Sequence, residues 1–196
     1  MCTACINDTD LAGVCPSCGV REYVFEEDPV RQFVDFACDP KRKSFQRVIC
    51  VAHNAKGFDA QFVLRYIVKR RRKSLKPPML ILSGTSIIMM KTGRVTFIDS
   101  LNYFHMPLSG LPKAFGLVGS ASLKQKGVFP HLFNTPENQH YIGPLPPLEF
   151  YSPDTMPTAQ RDQFLAWYNE QRSAGYVFNF RIEFIDYCRS DVAILR

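Results

Sequence analysis

The chain has 196 residues and a net charge of +6, from 24 Lys+Arg against 18 Asp+Glu. Apolar residues at 46% and charged residues at 21% are the proportions of a folded domain, which excludes a long disordered tail or a fibrous repeat. No apolar run reaches the roughly 18 residues of a membrane span, and MCTACINDTD holds no basic region followed by an apolar run, so neither a span nor a secretory leader is expected.

In chain order, Arg21–Phe25 has the residue types of a strand. Asp28-Pro29 then opens a short helix with Val30, Phe33, Val34 and Ala37 on one face, closed by Asp39-Pro40. Arg47–Ala52 suits a buried strand, and His53–Gly57 a turn. A helix starts at Phe58 with Phe62, Val63, Tyr66 and Ile67 on its apolar face, and Pro77-Pro78 stops it. Met79–Leu82, Ile87–Lys91 and Val95–Asp99 read as strands, separated by Ser83-Gly84 and Thr92-Gly93 turns. Gly110–Phe115 suits a short helix, and residues 127–157, rich in Pro and Gly, an irregular functional loop or insertion. Helices follow at Ala159–Arg172 and Phe180–Arg196, with Phe184, Cys188, Val192 and Leu195 as the core stripe of the last. This order implies an α/β fold, a mixed sheet covered by helices.

The charge is distributed unevenly. Residues 1–40 are net −6, residues 41–126 net +15 and residues 127–196 net −3. Asp59 and Asp99 are the only acids of that basic middle. A carboxylate in such surroundings is either a cap for a helix or turn, or a group with a chemical task. The run Lys69–Lys73, with Lys76, could follow a nucleic-acid backbone, act as a nuclear address, or complement the negative end of a helix.

Four of the seven cysteines cluster as Cys2-x-x-Cys5 and Cys15-x-x-Cys18. Each pair lets two thiolates reach one ion from a tight turn, and together they suit a tetrahedral zinc site, with Gly13, Pro16 and Gly19 as turn residues. The alternatives are a set of unliganded thiols and a redox pair, although no thioredoxin-like strand precedes either Cys-x-x-Cys. Residues 1–25 are accordingly read as a Cys-rich, zinc-knuckle-like segment. Cys38, Cys50 and Cys188 lie in apolar surroundings and read as buried hydrophobes.

Three further patterns carry chemistry. In HNAKGFD, Asp59 follows a strand and opens a helix, at the sheet edge where α/β folds usually bind ligands, although capping would explain it equally. In FIDSLNYF, a strand ends in Asp99-Ser100, with a hydroxyl suited to a phosphate or sugar oxygen and Tyr103 and Phe104 suited to stacking on a base. In YCRSD, Tyr187 and Asp191 are four residues apart and share a helix face.

Taken in order, these patterns resemble the 3′→5′ exonuclease domain of family B DNA polymerases, above all the protein-primed branch of viruses, organellar plasmids and Polinton/Maverick transposons. Asn54-x-x-x-Phe58-Asp59 is similar to that family's second exonuclease motif and Tyr187-x-x-x-Asp191 to the third. Ser100-Leu101-x-x-Phe104 is similar to the motif that holds single-stranded DNA, and Lys126 to the lysine that assists at the scissile phosphate. The stretches AHNAKGFDAQFVLRYI, KGVFPHLFNTPENQ and YCRSDVAILR are similar to the transposon polymerases in particular.

The resemblance implies an RNase H-like mixed sheet with flanking helices and two-metal phosphodiester hydrolysis. Asp59 and Asp191 would bind Mg²⁺ or Mn²⁺, Tyr187 would orient the attacking water, and Lys126 would offset phosphate charge. Asn54, Phe58, Ser100, Leu101 and Phe104 would grip the frayed 3′ end. The implied partners are a single-stranded 3′ end, primer-template DNA and a terminal protein primer. A transposon parent would place the protein inside the cell, in the nucleus.

One part of the family pattern is not found. The first exonuclease motif, an Asp-x-Glu on an early strand, does not precede Asn54, and Asp35-Phe36-Ala37 lacks the Glu. The expectation is therefore an N-terminally truncated fragment, with residues 26–196 a partial exonuclease domain and the polymerase palm, fingers and thumb absent. Such a chain would have little activity alone, and an open sheet edge would lower its solubility. The rivals are a non-enzymatic zinc and nucleic-acid binding module, and a decayed transposon remnant.

Overall fold

The computed structural model describes residues 13–39, 47–69, 77–116 and 128–195. The chain divides at Leu111 and Pro112 into two compact units, each with its own apolar core.

In the first unit, α1 (Pro29–Ala37) begins as expected: Pro29 occupies the first turn and the Asp28 carboxylate accepts the Arg31 backbone N–H. β1 (Val48–Ala52) leads through a 3-10 turn at Ala55–Gly57 into α2 (Asp59–Lys69). β2 (Met79–Ser83), β3 (Ser86–Thr92) and β4 (Val95–Asp99) follow. The sheet order is β1-β4-β3-β2, with β1 parallel to β4 and the other pairs antiparallel. Gly84 and Gly93, at φ of +58° and +56°, supply the left-handed backbone that the two tight hairpins require. The sheet with flanking helices matches the sequence reading.

Side-chain alternation gives this sheet two unlike faces. Leu80, Ile87, Met90 and Phe97 pack with Val34, Ile67 and Val63 of the helices. On the other face, pairing aligns Ile49 and Val51 with Thr96 and Ile98, then with Lys91 and Met89, then with Met79 and Ile81. Ile49, at 62% exposure, lies on the outermost strand of that face, and Val51, Met79 and Ile81 are exposed with it.

Arg21–Phe25 is not a strand. A strand needs a ladder partner, and this segment instead lays Tyr23 and Phe25 against Phe33 and Phe36 of α1. Cys38 and Cys50 are half-buried, and burial, with the neighbouring Cys38, pushes the Cys50 thiol up to about 11. Cys188 is exposed, contrary to its reading as a buried hydrophobe.

The second unit holds α4 (Thr158–Ser173) and α5 (Phe180–Leu195), with the short pair β5 (Ile142–Gly143) and β6 (Phe178–Asn179) beside them. The one-turn helix α3 (Leu111–Ala114) stands at the division between the units. Residues 128–157 form no long element, as expected, but they are no surface insertion. Phe129, Phe133, Leu145 and Tyr151 from this segment build the core together with Phe164, Tyr168, Phe178 and Phe180. Short 3-10 turns at His131–Phe133 and Leu148–Tyr151 turn these side chains inward, and the Tyr168 hydroxyl donates to the Pro146 carbonyl at 3.0 Å.

The buried stripe of α5 is rotated from the one expected. Phe180, Phe184 and Tyr187 pack on the aromatic core, while Cys188 and Val192 are exposed. Rings supplied by the irregular segment select the aromatic stripe, which places Tyr187 on the sheltered side. Among the described residues, no helix is long and apolar enough to cross a membrane.

Candidate functional site

Strands β1 and β4 run parallel, and Ala52 lies opposite Asp99, so their carboxyl ends finish side by side. The segments that follow both strands carry all five residues assigned to DNA binding, together with Asp59.

Asp99 joins those loops. It is 2% exposed, and its Oδ1 accepts the backbone N–H of Asn54 at 2.9 Å and of Leu101 at 2.8 Å. Its Oδ2 accepts the Lys56 backbone N–H at 2.7 Å. Three short bonds from backbone N–H groups satisfy both oxygens of this buried side chain. A second bridge runs outside the first: Lys56 Nζ donates to Asn102 Oδ1 at 3.1 Å, and Asn102 Nδ2 to the Ile88 carbonyl at 3.1 Å. Of the two tasks open to Asp99, capping is the one realised, because it caps the 3-10 turn Ser100–Asn102 as well as fixing the loop after β1.

Ser100 is 5% exposed, and its hydroxyl is engaged inside the protein. Its Oγ donates to the Ala52 carbonyl at 3.0 Å and lies 2.9 Å from His53 Nδ1. The other ring nitrogen of His53, Nε2, lies 3.0 Å from the Met106 carbonyl oxygen. Leu101 is half-buried beside it.

The outward groups are mainly aromatic. Asn54 is exposed in a left-handed conformation, φ +64°, which Asn tolerates better than most residues. Phe58 is 69% exposed and meets Phe62 edge-on at 5.0 Å. From the loop after β4, Tyr103 is 66% exposed and Phe104 is exposed beside it. Asp59 is exposed in the first turn of α2, where its charge also favours the helix dipole. An apolar cleft of about 410 Å³ in this unit, walled by Phe25, Phe33, Val63 and Met90, has Lys56, Asp59 and Asp99 as polar lining groups.

In the second unit, the Tyr187 ring packs against Phe129 at 5.7 Å and edge-on to His131 at 5.1 Å. Asp191 is half-buried, and its Oδ1 is shielded from solvent without a hydrogen-bond partner. An orphaned carboxylate oxygen is costly and suits a cation. However, no group of three or more His, Cys, Asp or Glu is gathered for a metal among the described residues. The donor set among the described residues therefore does not by itself complete a two-metal centre.

The Cys15–Cys18 segment folds as a tight turn, with the Cys15 N–H donating to Gly19 O and the Gly19 N–H to Cys15 O, and with Gly19 at φ +78°. Its proposed companions Cys2 and Cys5 lie outside the described residues, as do Lys126 and the basic residues 70–76.

A family model for type B DNA polymerases, organellar and viral, matches residues 43–196. The chain belongs to this family. No curated protein and no solved structure matches it. The match includes β1, both loops at the sheet edge and all of α5, and leaves the Cys-rich segment outside it. A type B polymerase of this kind acts in DNA replication and binds template DNA, and the +15 segment lies almost wholly within the matched residues.

Sequence reasoning missed three participants. His53 and Lys56 lie inside the first loop motif, yet only their bonds to Ser100 and Asn102 show what they hold. His131, from the irregular segment, meets Tyr187 through tertiary packing alone. A polar residue within the HNAKGFD motif was the available signal for the first two.

Proposed function

We propose that this type B polymerase chain is the 3′→5′ exonuclease region of a protein-primed polymerase, and that the edge of β1 and β4 holds a single-stranded 3′ end. The observation that carries this reading is the pair of loops tied together by Asp99, with Asn54, Phe58, Tyr103 and Phe104 turned outward. Aromatic faces accept any base by stacking, which suits an enzyme that must grip a frayed end of any sequence. Ser100 and Leu101 act from behind in this scheme, supporting the loop.

In this reading Asp59 and Asp191 each serve as an oxygen donor for Mg²⁺ or Mn²⁺, the ions that carboxylates select. Bound, that ion would supply an activated water and charge neutralisation at the phosphate. Tyr187, its ring held by Phe129 and His131, would orient the water. Lys126 would offset phosphate charge. A centre without the carboxylates of the first exonuclease motif, which is not found ahead of Asn54, would hold such ions weakly, and this chain is expected to digest DNA poorly alone. A terminal protein is the primer in this scheme.

The test is digestion of a labelled single strand with Mg²⁺ and with Mn²⁺, beside an Asp191→Ala control, together with binding of the same strand. Binding with little digestion is expected, and Phe58→Ala should weaken binding about tenfold. Robust digestion that the control loses would overturn the weak-chain reading. A zinc-dependent binding module, the rival that the Cys15–Cys18 turn keeps in view, would instead lose its binding on chelation and ignore Phe58→Ala.

A further inference from the structure

We propose that Asp99 is a positioning residue for single-strand binding, the bolt that makes the Asn54–Asp59 loop and the Ser100–Phe104 loop one gripping surface. This rests on the single-strand reading above and adds a residue that touches no DNA itself.

Asp99 is, with Thr92 and Ser100, one of the buried polar side chains of the described residues in its unit, and both its oxygens are used. Two of its three donors, the N–H groups of Asn54 and Lys56, belong to the loop after β1. The third, Leu101 N–H, belongs to the loop after β4. Neither loop is held to the other by a backbone ladder past Ala52 and Asp99, where the parallel pairing ends. Beyond that point the carboxylate replaces the ladder.

The geometry also explains why the bolt is a carboxylate. One Oδ1 must accept from two chain segments at once, and a second acceptor must face Lys56 N–H. A carboxylate offers about four lone-pair sites on two oxygens, whereas an amide offers one oxygen and turns an NH₂ towards one of the donors. Asn54 is the residue most dependent on this tie. Its left-handed backbone, φ +64°, is held by the bond from its own N–H to Asp99, and it leads directly to exposed Phe58.

The experiment is a double-mutant cycle on the full chain, with binding of a fluorescently labelled oligothymidylate as readout at several salt concentrations. Asp99→Asn and Asn54→Ala are each expected to lower affinity about tenfold, and the double variant by little more than either, because both act through the same loop. The salt slope of Asp99→Asn should equal that of the wild type, since no phosphate contact is removed. A merely structural defect would make the two losses multiply to about a hundredfold. Wild-type affinity in Asp99→Asn, or multiplying losses, would overturn the positioning role alone. Absence of binding by the wild-type chain would overturn the single-strand reading and this role with it. Should Asp99→Asn fail to fold by circular dichroism, Asn102→Ala, which cuts the second bridge, replaces it in the cycle with about threefold losses and the same criteria.

Discussion

The sheet unit hides its apolar side chains on one face only, whereas the helical unit closes ring upon ring around a centre. Met90 is the fully buried residue of the aliphatic core behind the sheet, and Phe178 and Phe180 are those of the aromatic core. Half of the buried aromatic core comes from a segment with no long element, so large rings there do the work that regular packing of strands and helices does in the other unit. The difference teaches how each unit holds its candidate site residues. In the sheet unit they stand on loops at a strand edge, held by hydrogen bonds. In the helical unit they stand on α5, held by ring packing at Tyr187.

Removing a central side chain from each core probes this contrast most strongly. Phe180→Ala should cost about 3–5 kcal/mol, read from urea unfolding through the fluorescence of Trp167, the one tryptophan, which packs on that core. Met90→Ala should cost about 2–5 kcal/mol, read by hydrogen exchange in β3 and β4. A loss at Phe180 no larger than that of an exposed residue would break the account of an aromatic core.

A backbone substitution comes next. Asn54→Val forces a β-branched residue into the left-handed region and should cost about 1–2 kcal/mol, whereas Asn54→Gly should stay within about 0.5 kcal/mol of wild type. Equal stability of the two variants in thermal unfolding would remove the strain argument.

A pH dependence separates the helical unit further. Tyr176 is pushed up to about 12 by its hydrogen bond to Glu183, then by burial and by the charge of Glu183. Its folded value exceeds the unfolded one of roughly 10. Its contribution is therefore complete below about pH 10 and is lost as pH rises through about 12. Stability of Tyr176→Phe should fall less steeply than wild type across that window, measured by urea unfolding at stepped pH. Parallel curves would sink the assignment.

The smallest effect on stability is expected at the open sheet face. Ile49→Lys with Ile81→Lys should change stability by no more than about 0.5 kcal/mol each while lowering self-association in light scattering, since both side chains are exposed. A large loss of stability would mean that this face is covered.

Much of the architecture was legible locally. Pro29 behind Asp28, Gly84 and Gly93, and the apolar runs of β1 to β4 mark elements whose chemistry lies in adjacent residues. The strand expected at Arg21–Phe25 misled because its residue types suit a ladder that no neighbour supplies. The stripe of α5 misled because several spacings on one helix are apolar, and only Phe129 and Phe133 decide which of them is buried. Asn54, Phe58 and Asp59 were visible as a motif, and the family match over residues 43–196 includes them.

The sequence by itself determined the family, the basic middle and the order of the motifs, because charge and short spacing are properties of neighbouring residues. Only the tertiary structure decided what Asp99 and Ser100 do. Asp99 reaches Asn54 and Lys56 across 45 and 43 residues of chain, and Ser100 reaches Ala52 across 48. Parallel pairing of β1 with β4 brings them together. A buried carboxylate then takes whichever donors the fold places beside it, and no local pattern records which those are.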